Sequence, residues 1–293
     1  MISDLLRDRI RDYAASNALE QENVLQELVQ HYVLASLARA RFFAEAAFHG
    51  GTCLRILFAL NRFSEDLDFL LRTANPRFDW APYLARIERD GRAEGIAFET
   101  TERSRRAGAV RTAFVKTDLA GPVDRRPDFP FARLPGKKLR VKLEIDCNPP
   151  EGSAFETRYI HFPVTVALTT QTLASSFALK SHALLCRSYT KGRDWYDFLW
   201  YTSKEIVPDW PLLRNALRQQ GPWAGRDMPI TPEWYRTALA TRIEEIDWAA
   251  TRDDVIRFVT AREREGIALW DRGLFLQQLE RLARYLDEPQ EGR

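Results

Sequence analysis

Cysteine is nearly absent from this chain of 293 residues: Cys53, Cys147 and Cys186 are far apart and odd in number. They form neither a disulfide framework nor a zinc knuckle, and buried free thiols are expected. Histidine is as scarce. His31, His49, His161 and His182 share no metal-ligand spacing and have no paired nucleophile, so packing is the expected role, even for His49 beside a glycine pair. No apolar run approaches the roughly 18 residues of a membrane span. The first residues, Met1-Ile2-Ser3-Asp4-Leu5-Leu6-Arg7-Asp8, lack a basic segment followed by an apolar one, so a cytoplasmic protein with no membrane partner is expected. Charge of one sign is lacking too: the formal net charge is +2, which neither demands nor excludes a nucleic-acid partner. A glycine-rich loop ending in Lys-Ser or Lys-Thr is also missing, which argues against a P-loop NTPase.

What is present is an ordinary globular balance, 45% apolar and 29% charged residues, which suggests neither disorder nor a fibre. Apolar residues at helical spacing from Leu25 to Leu37 predict a long amphipathic helix over about Asn23–Ala47. A short helix follows Gly50-Gly51-Thr52, broken by Asn61-Arg62-Phe63, and Ser64–Leu71 reads as extended. A helix near Trp80–Ala93 and a strand near Ala109–Thr117 come next, then a Pro- and Arg-rich surface loop from Gly121 to Gly136. Leu139–Cys147 is the clearest strand, with Leu139, Val141, Leu143, Ile145 and Cys147 on one face and Arg140, Lys142, Glu144 and Asp146 on the other. One more strand is expected near Tyr159–Val166, and helices thereafter, with Leu173–Arg187 and Trp195–Thr202 the first two. The eight tryptophans read as core residues. The fold class is α+β: a mixed β-sheet core flanked by helices over residues 1–168, and a helical C-terminal lobe over 169–293. Arg103, Arg105, Arg106, Arg111, Arg125, Arg126, Arg133, Lys137, Lys138, Arg140 and Lys142 form a basic stretch suited to a polyanion or to plain solvation.

The sharpest constellation is Gly50-Gly51-Thr52 followed, one helix later, by Ser64-Glu65-Asp66-Leu67-Asp68. Two glycines at a helix N-terminus let backbone N–H groups approach a phosphate, which the helix dipole favours. Thr52 adds a hydroxyl for a phosphate oxygen. On a strand, Asp66 and Asp68 share a face. Their repulsion is relieved by a cation, and such oxygen pairs suit Mg²⁺ together with substrate phosphates. A third carboxylate from the Leu139–Cys147 strand would complete a site for in-line attack on an α-phosphate. Glu144 is preferred, with Asp146 the alternative until the sheet register is known. In the helical lobe, Lys180 stands in an apolar helix, positioned to neutralise a β- or γ-phosphate or to snorkel at the surface. Asp194 reads as the N-cap of the next helix, with Asp197 in its first turn.

Together these residues resemble the AbiEii/AbiGii family of nucleotidyltransferase-like toxins, to which the mycobacterial MenT toxins are also similar. The blocks are Phe48-His49-Gly50-Gly51-Thr52-Cys53-Leu54-Arg55, Arg62-Phe63-Ser64-Glu65-Asp66-Leu67-Asp68-Phe69, Lys142-Leu143-Glu144-Ile145, and Ala178-Leu179-Lys180 leading into Gly192-Arg193-Asp194-Trp195-Tyr196-Asp197. The resemblance implies a DNA polymerase β-like nucleotidyltransferase core and a helical lobe. It also implies Asp66 and Asp68 as holders of Mg²⁺ or Mn²⁺, with a third metal carboxylate for which Glu144 and Asp146 both fit. Gly50, Gly51, Thr52, Ser64, Lys180 and Arg193 become nucleotide and phosphate contacts, and Asp194 and Asp197 completing catalytic residues. It further implies an NTP substrate, a tRNA 3′ end as acceptor, a cognate antitoxin and a role in phage defence. A protein or small-molecule acceptor, or a nucleotide-binding partner module without turnover, are the other readings.

Overall fold

Alternation between Leu139 and Asp146 becomes a strand whose odd-numbered residues are buried, and a seven-stranded sheet is assembled around it. The computed structural model describes residues 4–13, 15–103, 108–118, 131 and 138–286. The chain divides into two compact units, residues 1–149 with 155–170, and residues 150–154 with 171–293.

In the first unit α1 (Asp4–Tyr13) and α2 (Ala18–Arg39) precede β1 (Ala46–His49), α3 (Gly50–Phe58) and β2 (Asp66–Leu71). They are followed by α4 (Ala81–Ala93), β3 (Phe98–Glu102), β4 (Val110–Thr117), β5 (Leu139–Asp146), β6 (Phe155–Ile160) and β7 (Val166–Gln171). The strand order is β3-β4-β5-β2-β1-β7-β6. β2 runs parallel to β5 and antiparallel to β1, and β1 runs parallel to β7. The carboxylate strand β2 is therefore central, held on both edges by ladders that fix where its side chains point.

The long helix is shorter than its periodicity predicts. α2 starts at an Asn17 cap, whose Oδ1 accepts the Glu20 N–H at 2.9 Å, and ends at Arg39. Arg41 then takes a left-handed φ of 60° and a 3₁₀ turn, Phe42–Ala44, redirects the chain. Ala46–His49 pairs with β2 instead of continuing the helix. Nor is α2 amphipathic in the ordinary sense, since it is buried on most sides, including at Glu27, Gln30 and His31. Two of those polar groups have clear partners: Glu27 receives Arg55 Nε at 2.8 Å and the Tyr13 hydroxyl, and Gln30 bonds the approach to β2. The single strand expected near Tyr159–Val166 is also two strands. Pro163 has no N–H for a ladder, and His161–Thr165 forms the link between β6 and β7. β3 is not visible in the sequence because it is an edge strand with only Phe98 buried.

The loop expected at Gly121–Gly136 lies, apart from Phe131, outside the described residues, as do Arg105, Arg106, Arg125, Arg126, Arg133 and Lys137. Several described members of the basic stretch are engaged locally. Arg140 lies 3.8 Å from the Phe114 ring centroid, Arg111 donates to Pro76 O at 2.8 Å, and Lys138 pairs with Glu99.

The second unit is helical: α5 (Leu173–Cys186), α6 (Gly192–Ser203), α7 (Trp210–Gln219), α8 (Pro232–Glu244), α9 (Trp248–Val255), α10 (Ala261–Ala268) and α11 (Arg272–Leu286). Thr172, Asp209, Thr231 and Asp247 cap α5, α7, α8 and α9 by side-chain hydrogen bonds. Its core is aromatic, with Phe275 stacked on Trp248 at 4.0 Å and edge-on to Trp195 and Trp270. α6 begins against α9: a β-carbon on Gly192 would collide with Thr251 O, and Gly192 N donates to Asp254 Oδ2 at 2.7 Å. Cys53 and Cys147 are buried free thiols as expected, while Cys186 is only half-buried. Among the described residues no helix is long and apolar enough to cross a membrane.

Candidate functional site

β1 delivers the chain at His49 into a turn that only glycine tolerates. Gly50 has φ +78°, and a β-carbon there would sit 2.7 Å from Asp68 Oδ2. The loop backbone thus lies directly against the Asp68 carboxylate. At Gly51 a β-carbon would collide with the guanidinium of Arg62, a residue 2% exposed whose Nη1 donates to Phe63 O at 3.0 Å. Thr52 has a different task from the phosphate contact expected of its hydroxyl. It is fully buried and donates to the carbonyl of Asp66, tying the first turn of α3 to the first residue of β2. His49 precedes α3 without capping it by its side chain.

The β2–β5 register bears on the two carboxylates that the sequence left open. Asp66 stands opposite Lys142, Asp68 opposite Glu144, and Leu70 opposite Asp146. On the other edge His49 is opposite Asp68. Glu144 is therefore level with Asp68, and Asp146 lies one repeat beyond it. Asp146 is also occupied by its own turn, accepting the Asn148 N–H at 2.9 Å. Glu144 is paired with Lys142 Nζ at 2.6 Å and receives Thr112 Oγ at 3.4 Å.

Electrostatics single out Asp66. Burial, then the Asp68 charge, push the Asp66 carboxyl up to about 6; Lys142 opposes this, and Glu65 and Glu144 add to it. Burial also raises the Asp146 carboxyl, but the Asn148 N–H and the charge of His49 lower it in part. Asp66 is thus a carboxylate crowded by like charge, the condition a dication relieves. Among the described residues no three His, Cys, Asp or Glu side chains are gathered as a ready-made metal cage. The donor set is an open oxygen pair with a third carboxylate alongside, which fits Mg²⁺ completed by substrate phosphates and water better than a dedicated cage.

The approach to β2 is fixed by groups that sequence reasoning does not find. Gln30 on α2, wholly buried, donates to Ser64 O at 2.8 Å and Glu65 O at 3.0 Å, and Gln26 donates to Arg140 O at 2.6 Å. Arg55 reaches Leu60 O and Asn61 O, both at 3.1 Å, at the exit of α3. Ser64 therefore enters the site through a backbone held by Gln30. No spacing rule predicts these tethers; the one hint is that α2 carries Gln26, Glu27 and Gln30 among its apolar residues.

In the second unit Lys180 on α5 is no snorkelling lysine. It is 13% exposed, and its Nζ lies 2.6 Å from Asp194 Oδ1 and 2.8 Å from Asp197 Oδ2 on α6. Arg187 adds a contact to Asp194 at 3.1 Å. Asp194 is not the N-cap: Lys191 occupies that position, and Asp194 lies inside the first turn with its side chain turned to the cations. Asp197 follows one turn later. Burial by itself would raise the Asp194 carboxyl, but Lys180, Arg187 and Lys191 outweigh it and hold it at about 2. Arg193 lies over the Phe258 ring at 4.1 Å.

A family model described as nucleotidyl transferase AbiEii toxin, type IV toxin–antitoxin system, matches residues 32–278, most of the chain and nearly all of the residues just described. The chain belongs to this AbiEii family. No curated protein matches it. Among solved structures, the MenT4 nucleotidyltransferase toxin of Mycobacterium tuberculosis is similar at 18% identity and a TM-score of 0.50, over 94% of this chain and 98% of that one. JHP933 of Helicobacter pylori aligns at 16% identity and a TM-score of 0.49, over 90% and 91%. The likeness to MenT4 is one of fold. An AbiEii nucleotidyltransferase-like fold is thus what the sheet and helical unit form, and the family is one of nucleotidyltransferase toxins.

Proposed function

We propose that this AbiEii-family protein transfers a nucleoside monophosphate from an NTP to the 3′ end of tRNA, releasing pyrophosphate. In this reading it is the toxin of a two-gene phage-defence system, works in the cytoplasm and is restrained by a cognate antitoxin protein. The observation that carries the reading is the contact of the Gly50 backbone with Asp68, which shares its strand with Asp66 and stands opposite Glu144 of the neighbouring strand.

That arrangement brings an anion-binding helix start against a carboxylate pair, which is what nucleotidyl transfer needs. The amides of Gly50 and Gly51 at the α3 N-terminus hold phosphate oxygens; the Thr52 hydroxyl keeps that turn seated on β2. Asp66, Asp68 and Glu144 would hold Mg²⁺ or Mn²⁺, which when bound supplies charge stabilisation at the phosphoryl oxygens. Lys180 and Arg193 serve the triphosphate, with Asp194 and Asp197 orienting Lys180. Catalysis of this kind rests on positioning and charge compensation.

The test is purified protein with total bacterial tRNA, Mg²⁺ and each α-labelled NTP in turn. Label on tRNA with one nucleotide is expected. Label on added protein or small-molecule acceptors instead would transfer the same chemistry to another substrate. NTP binding with no incorporation under Mg²⁺ or Mn²⁺ would contradict turnover.

The glycine turn gives a second expectation. In Gly50→Ala the side chain meets both a left-handed φ and the Asp68 carboxylate, so incorporation falls about 100-fold and stability by roughly 1–3 kcal/mol. Labelled transfer and thermal unfolding measured side by side check it; ordinary activity in Gly50→Ala would mean that the close approach is unused.

A further inference from the structure

The face of β5 that carries Glu144 also carries Lys142. The register sets that lysine opposite Asp66, as it sets Glu144 opposite Asp68. A two-residue period on both strands puts the four side chains on one face of the sheet. Lys142 Nζ closes on Glu144 Oε2 at 2.6 Å, while Thr112, opposite Glu144 on β4, donates to Oε1 at 3.4 Å. Both oxygens of Glu144 thus have partners within the protein. Arg140, the preceding residue on this face of β5, is drawn away onto the Phe114 ring. At Asp66 the charges of Asp68, Glu65 and Glu144 act in one direction, and the charge that opposes them is that of Lys142. Lys142 is 35% exposed and Glu144 29%, so solvent screens their pairing only in part.

An ammonium 2.6 Å from Glu144 Oε2 repels any dication that approaches the same oxygen. We infer that Lys142 is the resident counter-ion of the metal-binding carboxylates: it balances Asp66 and Glu144 until a divalent cation arrives, and that cation has to displace it from Glu144. The inference rests on the nucleotidyl-transfer reading, in which Asp66, Asp68 and Glu144 hold Mg²⁺ or Mn²⁺, and adds a positioning residue to it. Lys142 acts on the metal through Glu144. Three carboxylates gathered on two adjacent strands repel one another, and a lysine in the same ladder lets the strands pair around them. The metal gains Glu144 only by breaking an ion pair, so the lysine that steadies the carboxylates also weakens their hold on a bare cation.

The experiment uses the full chain and its Lys142→Met, Lys142→Gln and Lys142→Arg variants, with Mn²⁺ alone as the probe and no nucleotide present. Free Mn²⁺ is read by electron paramagnetic resonance, and the thermal midpoint is followed with and without the ion. Lys142→Met and Lys142→Gln are expected to bind Mn²⁺ about ten-fold more tightly than the unaltered protein, the scale of one unit charge removed from beside a dication at a partly screened site. Their midpoints fall without Mn²⁺ and rise further on its addition than that of the unaltered protein. Lys142→Arg keeps the charge and stays close to the unaltered protein in affinity. Lys138→Met removes an equal charge from the pair with Glu99 on β3 and leaves Mn²⁺ affinity unchanged. Unchanged or weaker Mn²⁺ binding in Lys142→Met and Lys142→Gln would overturn the inference, and a raised KM for NTP beside it would make Lys142 a substrate contact instead. A gain matched by Lys138→Met would reduce the effect to net charge and overturn it equally. Where the unaltered protein incorporates nucleotide but these affinities do not move, this inference alone fails. If neither the unaltered protein nor any variant binds Mn²⁺, the metal-holding part of the nucleotidyl-transfer reading fails first and this inference with it.

Discussion

Asp68→Asn is expected to lower nucleotide incorporation about 1,000-fold while leaving the protein as stable as before, or more stable. The asymmetry follows from the position of Asp68. It lies on a central strand, level with Glu144, two residues from Asp66, and against the Gly50 backbone. Its charge is one reason the Asp66 carboxyl is pushed up to about 6, second only to burial. Asparagine keeps the shape and removes the charge, so repulsion within the folded state falls and folding is not harmed. What is lost is half of the oxygen pair that would face the transferring phosphate. Incorporation on tRNA and the thermal midpoint, measured on the same preparation, give the answer. Activity lost together with a drop in midpoint would mark Asp68 as structural, and activity kept would remove the strand pair from the mechanism. Asp66→Asn should behave alike.

Much of this site is legible in the sequence, for a physical reason. Gly50-Gly51-Thr52 and Asp66-Leu67-Asp68 are local signals: a turn, a helix start and a two-residue period belong to neighbouring residues and survive in one dimension. β5 is legible because eight alternating residues leave no other regular structure for them. What stays hidden is long-range. β1 has four residues, three of them buried, and nothing in Ala46–His49 distinguishes a strand edge from the last turn of a helix. The choice between Glu144 and Asp146 is a matter of register between β2 and β5, some 75 residues apart in the chain. Thr52 reads as a phosphate contact because a hydroxyl at a helix start suits a phosphate and a neighbouring carbonyl equally well, and only the β2 backbone beneath it decides. Asp194 reads as a cap because capping is the commonest use of an aspartate there; the lysine that turns it inward comes from α5.

The largest stability effect is expected at Lys180, where it can be separated from the effect on chemistry. Asp197 has no exposed side-chain surface and Asp194 only 5%, so Lys180→Met leaves two buried carboxylates with one cation fewer. Removing one partner of such a group costs about 3–5 kcal/mol, because the remaining charge keeps its desolvation penalty. Arg187 still answers Asp194 at 3.1 Å, so part of the compensation on α6 remains. The acid limb of stability should change as well. In the unaltered protein the Asp194 carboxyl is held at about 2, below its ordinary 3.8, so its contribution is complete above 3.8 and is lost as pH falls toward 2. In Lys180→Met that carboxyl rises and the acid-dependent loss shrinks. The decisive variant is the double change Lys180→Met with Asp197→Asn, in which a carboxylate charge is removed along with the cation and most of the urea midpoint returns. If Lys180 serves the triphosphate, the restored fold still incorporates nucleotide poorly and shows a raised KM for NTP. If transfer returns together with stability, the lysine's whole task is to neutralise α6, and the triphosphate must be held by the amides of α3 and by other cations. The two roles are distinguishable only because Lys180 is buried among carboxylates it can be relieved of; an exposed lysine would have offered activity as its single readout.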